Sequence, residues 1–203
     1  MDPLTIVVVV AIVLVVALLL WLVVIYNRLV RARNAYRNGF AQIDVQLTRR
    51  HDLIPNLVET VKGYIKHERE TLEAVTAART AAVSAQAAAK AAPGDPAAMQ
   101  ELAGSENLLT QMLGRMFALS EAYPDLKASQ HFLALQGELT DTEDRIAASR
   151  RFYNGNVRAY NTRVRTFPSN LVAAVFRFRP REFFGLSDVS EQAPPAVDLG
   201  GGA

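Results

Sequence analysis

The chain has 203 residues, 50% hydrophobic and 21% charged, which suits one domain with an appendage and excludes a long disordered chain. It has no cysteine, which rules out a disulfide scaffold, a thiolate zinc site and a cysteine nucleophile. The formal net charge of +2 is too small to announce a nucleic-acid binder, although the pI is near 9.0 and arginine (18) far outnumbers lysine (4).

From Pro3 to Asn27 no residue is charged, and Leu4 to Ile25 is nearly all Val, Leu, Ile and Ala. Those residues span roughly 33 Å as a helix, enough to cross a hydrocarbon core of about 30 Å. A cleaved signal peptide fits poorly, because no basic stretch precedes the run and the run is too long. Trp21 and Tyr26 stand near its end, where amphipathic rings suit headgroups. Arg28, Arg31, Arg33 and Arg37 follow, whereas only Asp2 precedes, so the positive-inside rule predicts the N-terminus outside and the rest cytoplasmic. The expected division is 1–3 extracytoplasmic, 4–26 transmembrane, 27–186 cytoplasmic and 187–203 a disordered tail.

Helical periodicity continues beyond the span through Leu29, Tyr36, Phe40, Ile43 and Leu47. Asp52 then suits an N-cap with Pro55 in the first turn of a second helix. That helix carries Leu57, Val61, Tyr64, Ile65, Leu72 and Val75 and runs into an alanine-rich stretch over Ala77–Ala92. Pro93-Gly94-Asp95-Pro96 is the strongest break, and Asp95-Pro96 reads as cap and first turn of a third helix with Met99, Leu102, Leu109, Leu113, Met116 and Leu119. Tyr123-Pro124 ends it. Phe132, Leu139, Ile146, Tyr153 and Tyr160 recur every seven residues in a fourth helix, which Phe167-Pro168 closes. The expected fold is all-α: a transmembrane helix followed by an antiparallel four-helix bundle.

Two glycine pairs are equidistant from the expected turns, Gly39 with Gly63 about His51 and Gly114 with Gly137 about Asp125. Each pair predicts close helix approach, which would offset a helix-interior penalty of about 1 kcal/mol per glycine. One length mismatch stands: a second helix of about 60 Å beside a first of about 36 Å would drive its alanine-rich end into the membrane. Bending of the membrane helix, one continuous rod merely kinked at Pro55, or fraying of residues 81–92 would each resolve it.

At Tyr26-Asn27-Arg28-Leu29-Val30, and most strongly over Arg50-His51-Asp52-Leu53-Ile54-Pro55-Asn56-Leu57-Val58, the chain resembles the LemA family of bacterial membrane proteins. The likeness resumes at Phe152-Tyr153-Asn154, Val157-Arg158, Tyr160-Asn161 and Phe167-Pro168-Ser169-Asn170, and covers nearly everything between residues 20 and 186. A tryptophan usual near Phe40 in that family is missing here. The resemblance implies an N-terminal anchor, a cytoplasmic antiparallel helical bundle and no established enzyme activity. By family analogy it also implies a membrane-protease partner, and kinship with proteins of magnetosome membranes.

Chemistry is sparse. His67-Glu68-Arg69-Glu70-Thr71 resembles the start of a zinc-protease helix, but Thr71 stands where the second histidine is required. No phosphate loop or nucleophile elbow appears, and Gly200-Gly201-Gly202 lies in the tail. Asp141, Glu143 and Asp144, with Arg145 and Arg150 beside them, read as a salt-bridged face. No catalytic, metal-binding or cofactor-binding residue is therefore assigned. Arg50, His51, Asp52, Asn56, Asn154 and Asn161 are read as a polar network fixing one end of the bundle.

The C-terminal segment interleaves phenylalanines with arginines. Phe176, Arg177, Phe178, Arg179, Arg181, Phe183 and Phe184 suit the boundary of an anionic membrane, with packing over the bundle's open end as the alternative and single-strand nucleic-acid stacking less favoured. The sequence thus points to a membrane-anchored, non-enzymatic scaffold or adaptor at the cytoplasmic face of a bacterial plasma membrane. The alternative is a self-associating membrane-shaping protein, and an enzyme with an unrecognised site comes last. Expected partners are membrane lipid, a membrane or cytoplasmic protein and further copies of the chain, with no nucleic acid.

Overall fold

A computed structural model describes residues 2–65 and 68–185; the expected tail, His67 and the terminal glycines lie outside them. Among the described residues every regular element is a helix: α1 (Pro3–Tyr64), α2 (Arg69–Ala91), α3 (Pro96–Ser120), α4 (Pro124–Lys127), α5 (Gln130–Arg165) and α6 (Ser169–Val175). The first part of α1 is long and apolar enough to cross a membrane, with mean hydropathy 3.6 and none of that window buried within the protein. This N-terminal span makes the protein membrane-associated.

The expected break at Asp52 does not occur. α1 runs without interruption through Pro55 to Tyr64, and Asp52 and Asn56 are exposed in mid-helix. Proline lacks the N–H that would pair with the carbonyl four residues back, here His51. Arg79 of α2 replaces that donor, its Nε lying 2.6 Å from His51 O. The helix therefore keeps its course because a neighbouring helix satisfies the group that proline leaves open. The chain turns only after Tyr64, where Ile65 adopts an extended conformation and buries its side chain.

This later turn resolves the length mismatch. α2 has 23 residues and runs antiparallel to α1, with Gln86 opposite Asp44 and Arg79 opposite His51. Its alanine-rich end remains helical, and Ala78, Ala82, Ala85 and Ala89 pack inward as one small-residue stripe. By that register α2 stops near the level of Gly39, roughly 18 Å before Asn27. Gly94 makes the return with φ +79°, and Asp95 caps α3 by accepting from the Ala98 N–H at 3.2 Å, as the sequence predicts.

α5 runs antiparallel to α1 along most of its length. Phe132, Leu139, Ile146, Tyr153 and Tyr160 are all buried, confirming the seven-residue stripe. Two apolar clusters result. One joins the membrane-distal part of α1 to α2, α3, α4 and α5, with Phe117 against Phe132 at 6.1 Å. The other lies nearer the membrane and includes Ile25, Leu29, Tyr36, Phe40, Tyr153, Tyr160, Phe178 and Phe184.

Candidate membrane-proximal site

Where α2 and α3 stop short of the membrane, α5 and the short α6 accompany α1, and the contact between α1 and α5 is aromatic. Tyr36 meets Tyr160 at 5.1 Å and Phe40 meets Tyr153 at 6.0 Å. Gly39 permits this approach: a Cβ there would sit 3.2 Å from Tyr153 Cα. Its expected partner was Gly63, but both residues lie on α1 and cannot face each other across a hairpin. Gly63, Gly114 and Gly137 have nothing within 4 Å of a Cβ position, so close approach is confined to Gly39 among the four.

The C-terminal segment fills the space that α2 and α3 leave. After α6 the backbone reverses with Arg177 at φ 56°, while Phe178 N–H reaches Ala173 O at 2.8 Å and Arg177 N–H reaches Ala174 O at 3.3 Å. This is a Schellman closure with arginine in the left-handed position that glycine usually takes. The following residues run back along α5, held by side chains that bond to main chain. Tyr160 Oη donates to Arg179 O at 3.0 Å, and Tyr153 Oη donates to Glu182 O at 2.9 Å.

Two asparagines grip the segment on both backbone groups. Asn161 Nδ2 donates to Arg181 O at 2.8 Å while its Oδ1 accepts Arg181 N–H at 2.8 Å. Asn154 repeats the arrangement on Phe184, at 3.1 and 2.9 Å. Glu182 N–H, donating to Gly94 O at 3.0 Å, ties the segment to the α2–α3 turn. Burial, then the neighbouring Tyr36, pushes the Tyr153 and Tyr160 phenols above their ordinary range, keeping both protonated as donors.

The expected membrane-contact residues consequently divide. Phe178 and Phe184 are buried in the core, Arg181 is half-buried, and Phe183 sits beside Pro96 and Arg158 well back from the membrane end. Phe176, Arg177 and Arg179 are exposed. Phe176 lies 4.8 Å from Tyr26, at the end of the apolar span, and Phe167, Leu171 and Val175 add further exposed apolar surface. Packing accounts for Phe178 and Phe184, whereas Phe176, Arg177 and Arg179 stay on the surface.

The expected polar network also divides. Asn154 and Asn161 belong to the C-terminal grip, and Asp52 and Asn56 take no part in either group. Arg50 and His51 are buried around Glu106 of α3, which is 0% exposed: Arg50 Nη1 lies 2.9 Å from Glu106 Oε2, and His51 Nε2 lies 2.8 Å from Oε1. An ionised carboxylate only accepts, so His51 Nε2 carries the proton. Arg50 also reaches Thr110 at 2.7 Å and Glu143 at 3.4 Å. Glu143 thus pairs across helices with Arg50. A second group, Asp44 with Gln86 and Lys90, ties α1 to α2. No pattern in the sequence marks Glu106, which stands between Ser105 and Asn107 of α3 without a neighbouring basic residue. Among the described residues no three His, Asp or Glu side chains are placed to hold a metal ion.

Comparison with known proteins accords with this architecture. The chain is 30% identical to Protein LemA of Metamycoplasma hominis over 72% of its length and 63% of that protein's. It is 25% identical to Magnetosome protein MamQ of Magnetospirillum gryphiswaldense and to Magnetosome protein MamQ 2 of Paramagnetospirillum magneticum, in each case over 78% of this chain and 64% of the relative. The chain thus spans less than two-thirds of the length of these relatives. The model of the LemA family matches residues 39–199, which take in the α1 end beyond Gly39, all the later helices and the asparagine grip, and the chain belongs to that family.

Proposed function

We propose that this protein is a membrane-anchored, non-enzymatic scaffold or adaptor, with its N-terminus outside and its helical part at the cytoplasmic face of a bacterial plasma membrane. In this reading α1, α2, α3 and α5 act as an antiparallel four-helix bundle raised on the extension of the membrane helix. The observation that carries it is the unbroken α1, which places the α1–α2 end far from the apolar span. Val58 stands about 47 Å beyond Asn27 along the helix. There Val58, Ile65, Leu72 and Ala77 floor a groove of about 820 Å³ rimmed by Glu59, Lys62, Arg69 and Glu73, a form suited to an amphipathic segment of another protein. The names Protein LemA and Magnetosome protein MamQ fit a frame retained while its setting changes.

Two measurements test this. A reporter fused after Ala203 is expected to be active only in the cytoplasm, and periplasmic activity would overturn the orientation. A photo-crosslinking residue at Thr76, in the groove, is expected to capture a discrete partner in intact cells, whereas one at Val45 is not; equal capture at both positions would remove the groove from the adaptor role. The membrane-shaping alternative draws on the exposed Phe167, Leu171, Val175 and Phe176. Reconstituted full-length protein that deforms vesicles, and ceases to do so when these residues are made polar, would favour it.

A further inference from the structure

The arginines around the membrane-proximal end are not spread evenly between signs. Residues 27–43 hold four arginines and no acidic residue, and residues 150–181 hold eight arginines and no acidic residue. α1 and α5 bring these two stretches side by side. Arg28 and Arg31, one turn apart on α1, and Arg163, in the last turn of α5, line one cavity of about 600 Å³. Ala32, Ala35 and Ala159 contribute only methyl groups to its wall, which leaves the space open, and Asn156 completes it. Arg31 Nε contacts Asn27 O at 3.3 Å, and Asn156 Nδ2 is engaged with Phe152 O.

No acidic residue lines the cavity, and among the described residues none of its three arginines forms an ion pair. Its level is set by α1. Arg28 follows Tyr26 by two residues, and the Tyr26 ring meets Phe176 beside the exposed apolar surface of α6. A cationic cavity without counter-charge therefore opens where the hydrocarbon core gives way to headgroups.

We propose that this cavity binds the phosphate of an anionic phospholipid headgroup from the membrane that α1 spans. The planar guanidinium fork matches phosphate oxygens with paired hydrogen bonds, and two helices present three such forks to one volume. The acyl chains then lie along the exposed apolar side of α1, which supplies the continuity that a soluble phosphate lacks. The assignment requires only the apolar helix in a bilayer, so it stands or falls separately from the adaptor reading.

The single tryptophan provides the readout. Trp21 precedes Arg28 by seven residues, two helical turns, and therefore lies on the same side of α1. In neutral-detergent micelles holding the full chain, brominated phosphatidylglycerol is expected to quench Trp21 at lower mole fraction than brominated phosphatidylcholine. Arg163→Gln should reduce that preference about fivefold, since each basic side chain at the surface is worth roughly that factor. Arg28→Gln/Arg31→Gln/Arg163→Gln should bring the two lipids to parity, while Arg115→Gln, exposed on the distal part of α3, leaves the preference intact. Equal quenching by both lipids in the unaltered protein, or a preference that survives the triple substitution, overturns the proposal. So does loss of the preference on adding millimolar inorganic phosphate, compared with chloride at the same ionic strength, because the cavity would then be a soluble-phosphate site.

Discussion

Glu106 holds two buried basic side chains, and nothing else in contact with both can replace it. Breaking a buried pair costs more than the pair itself contributes, because the surviving charge remains desolvated. Glu106→Ala is expected to destabilise the protein by about 3–5 kcal/mol, whereas Glu59→Ala, exposed at the distal end, should change stability by less than about 0.5 kcal/mol. Denaturant unfolding of the detergent-solubilised chain, followed by circular dichroism, compares the two. The glycines give a second residue-scale contrast. Leucine at Gly39 must push Tyr153 away and is expected to cost about 1–3 kcal/mol. Leucine at Gly63 or Gly155 enters open space and should be neutral or stabilising by up to about 1 kcal/mol, since it removes a helix penalty. The same unfolding curves distinguish them. Equal losses at all three sites would contradict the close approach at Gly39.

At the level of elements, Pro55 and Arg79 form one device. Arg79→Met leaves His51 O without a partner and is expected to cost about 1–3 kcal/mol. In a Pro55→Ala background the restored Ala N–H can reach that carbonyl, so the same Arg79 change should cost markedly less. A double-mutant cycle measures the difference, and additive losses would show that the two residues are independent. Asn154 and Asn161 act on a different element. Asn161→Ala should free the main chain at Arg181 and Asn154→Ala that at Phe184, seen as faster amide exchange at those residues with little change in the rate for α2. The phenols that help hold this segment have folded pKa values above their unfolded ones. Above about pH 10 the unfolded chain therefore releases these protons more readily, and stability declines as pH rises through that range. The heptad of α5 and the Asp95 cap were legible from sequence because each depends on local pattern. The course of α1 was not: Pro55 signals a helix start or a break unless a donor arrives from elsewhere, and Arg79 is 28 residues away along the chain.

For the whole molecule, the same division explains which functional features could be read in advance. The membrane span and its arginine flank are runs of one residue type, visible without a fold. The grip on the C-terminal segment is not, since Asn154 and Asn161 declare themselves only once residues 181–184 lie beside α5. Phe178 and Phe184 read as lipid contacts because phenylalanines and arginines interleave in this segment, but the early end of α2 leaves a vacancy in the core that these two rings occupy.

The uninterrupted α1 gives the molecule a mechanical property. Helix tilt in a bilayer responds to hydrophobic thickness, and a rod that continues beyond the bilayer carries that tilt with it. Over the roughly 56 Å from Asn27 to Tyr64, a change of about ten degrees displaces the far end sideways by about 10 Å. Fluorescence transfer from a dye at Glu59 to a labelled bilayer surface should therefore vary with acyl-chain length, and should cease to vary when two glycines replace Asn34 and Ala35. With its span as the short arm and the distal groove at the end of the long one, the protein is built as a lever whose fulcrum is the membrane surface.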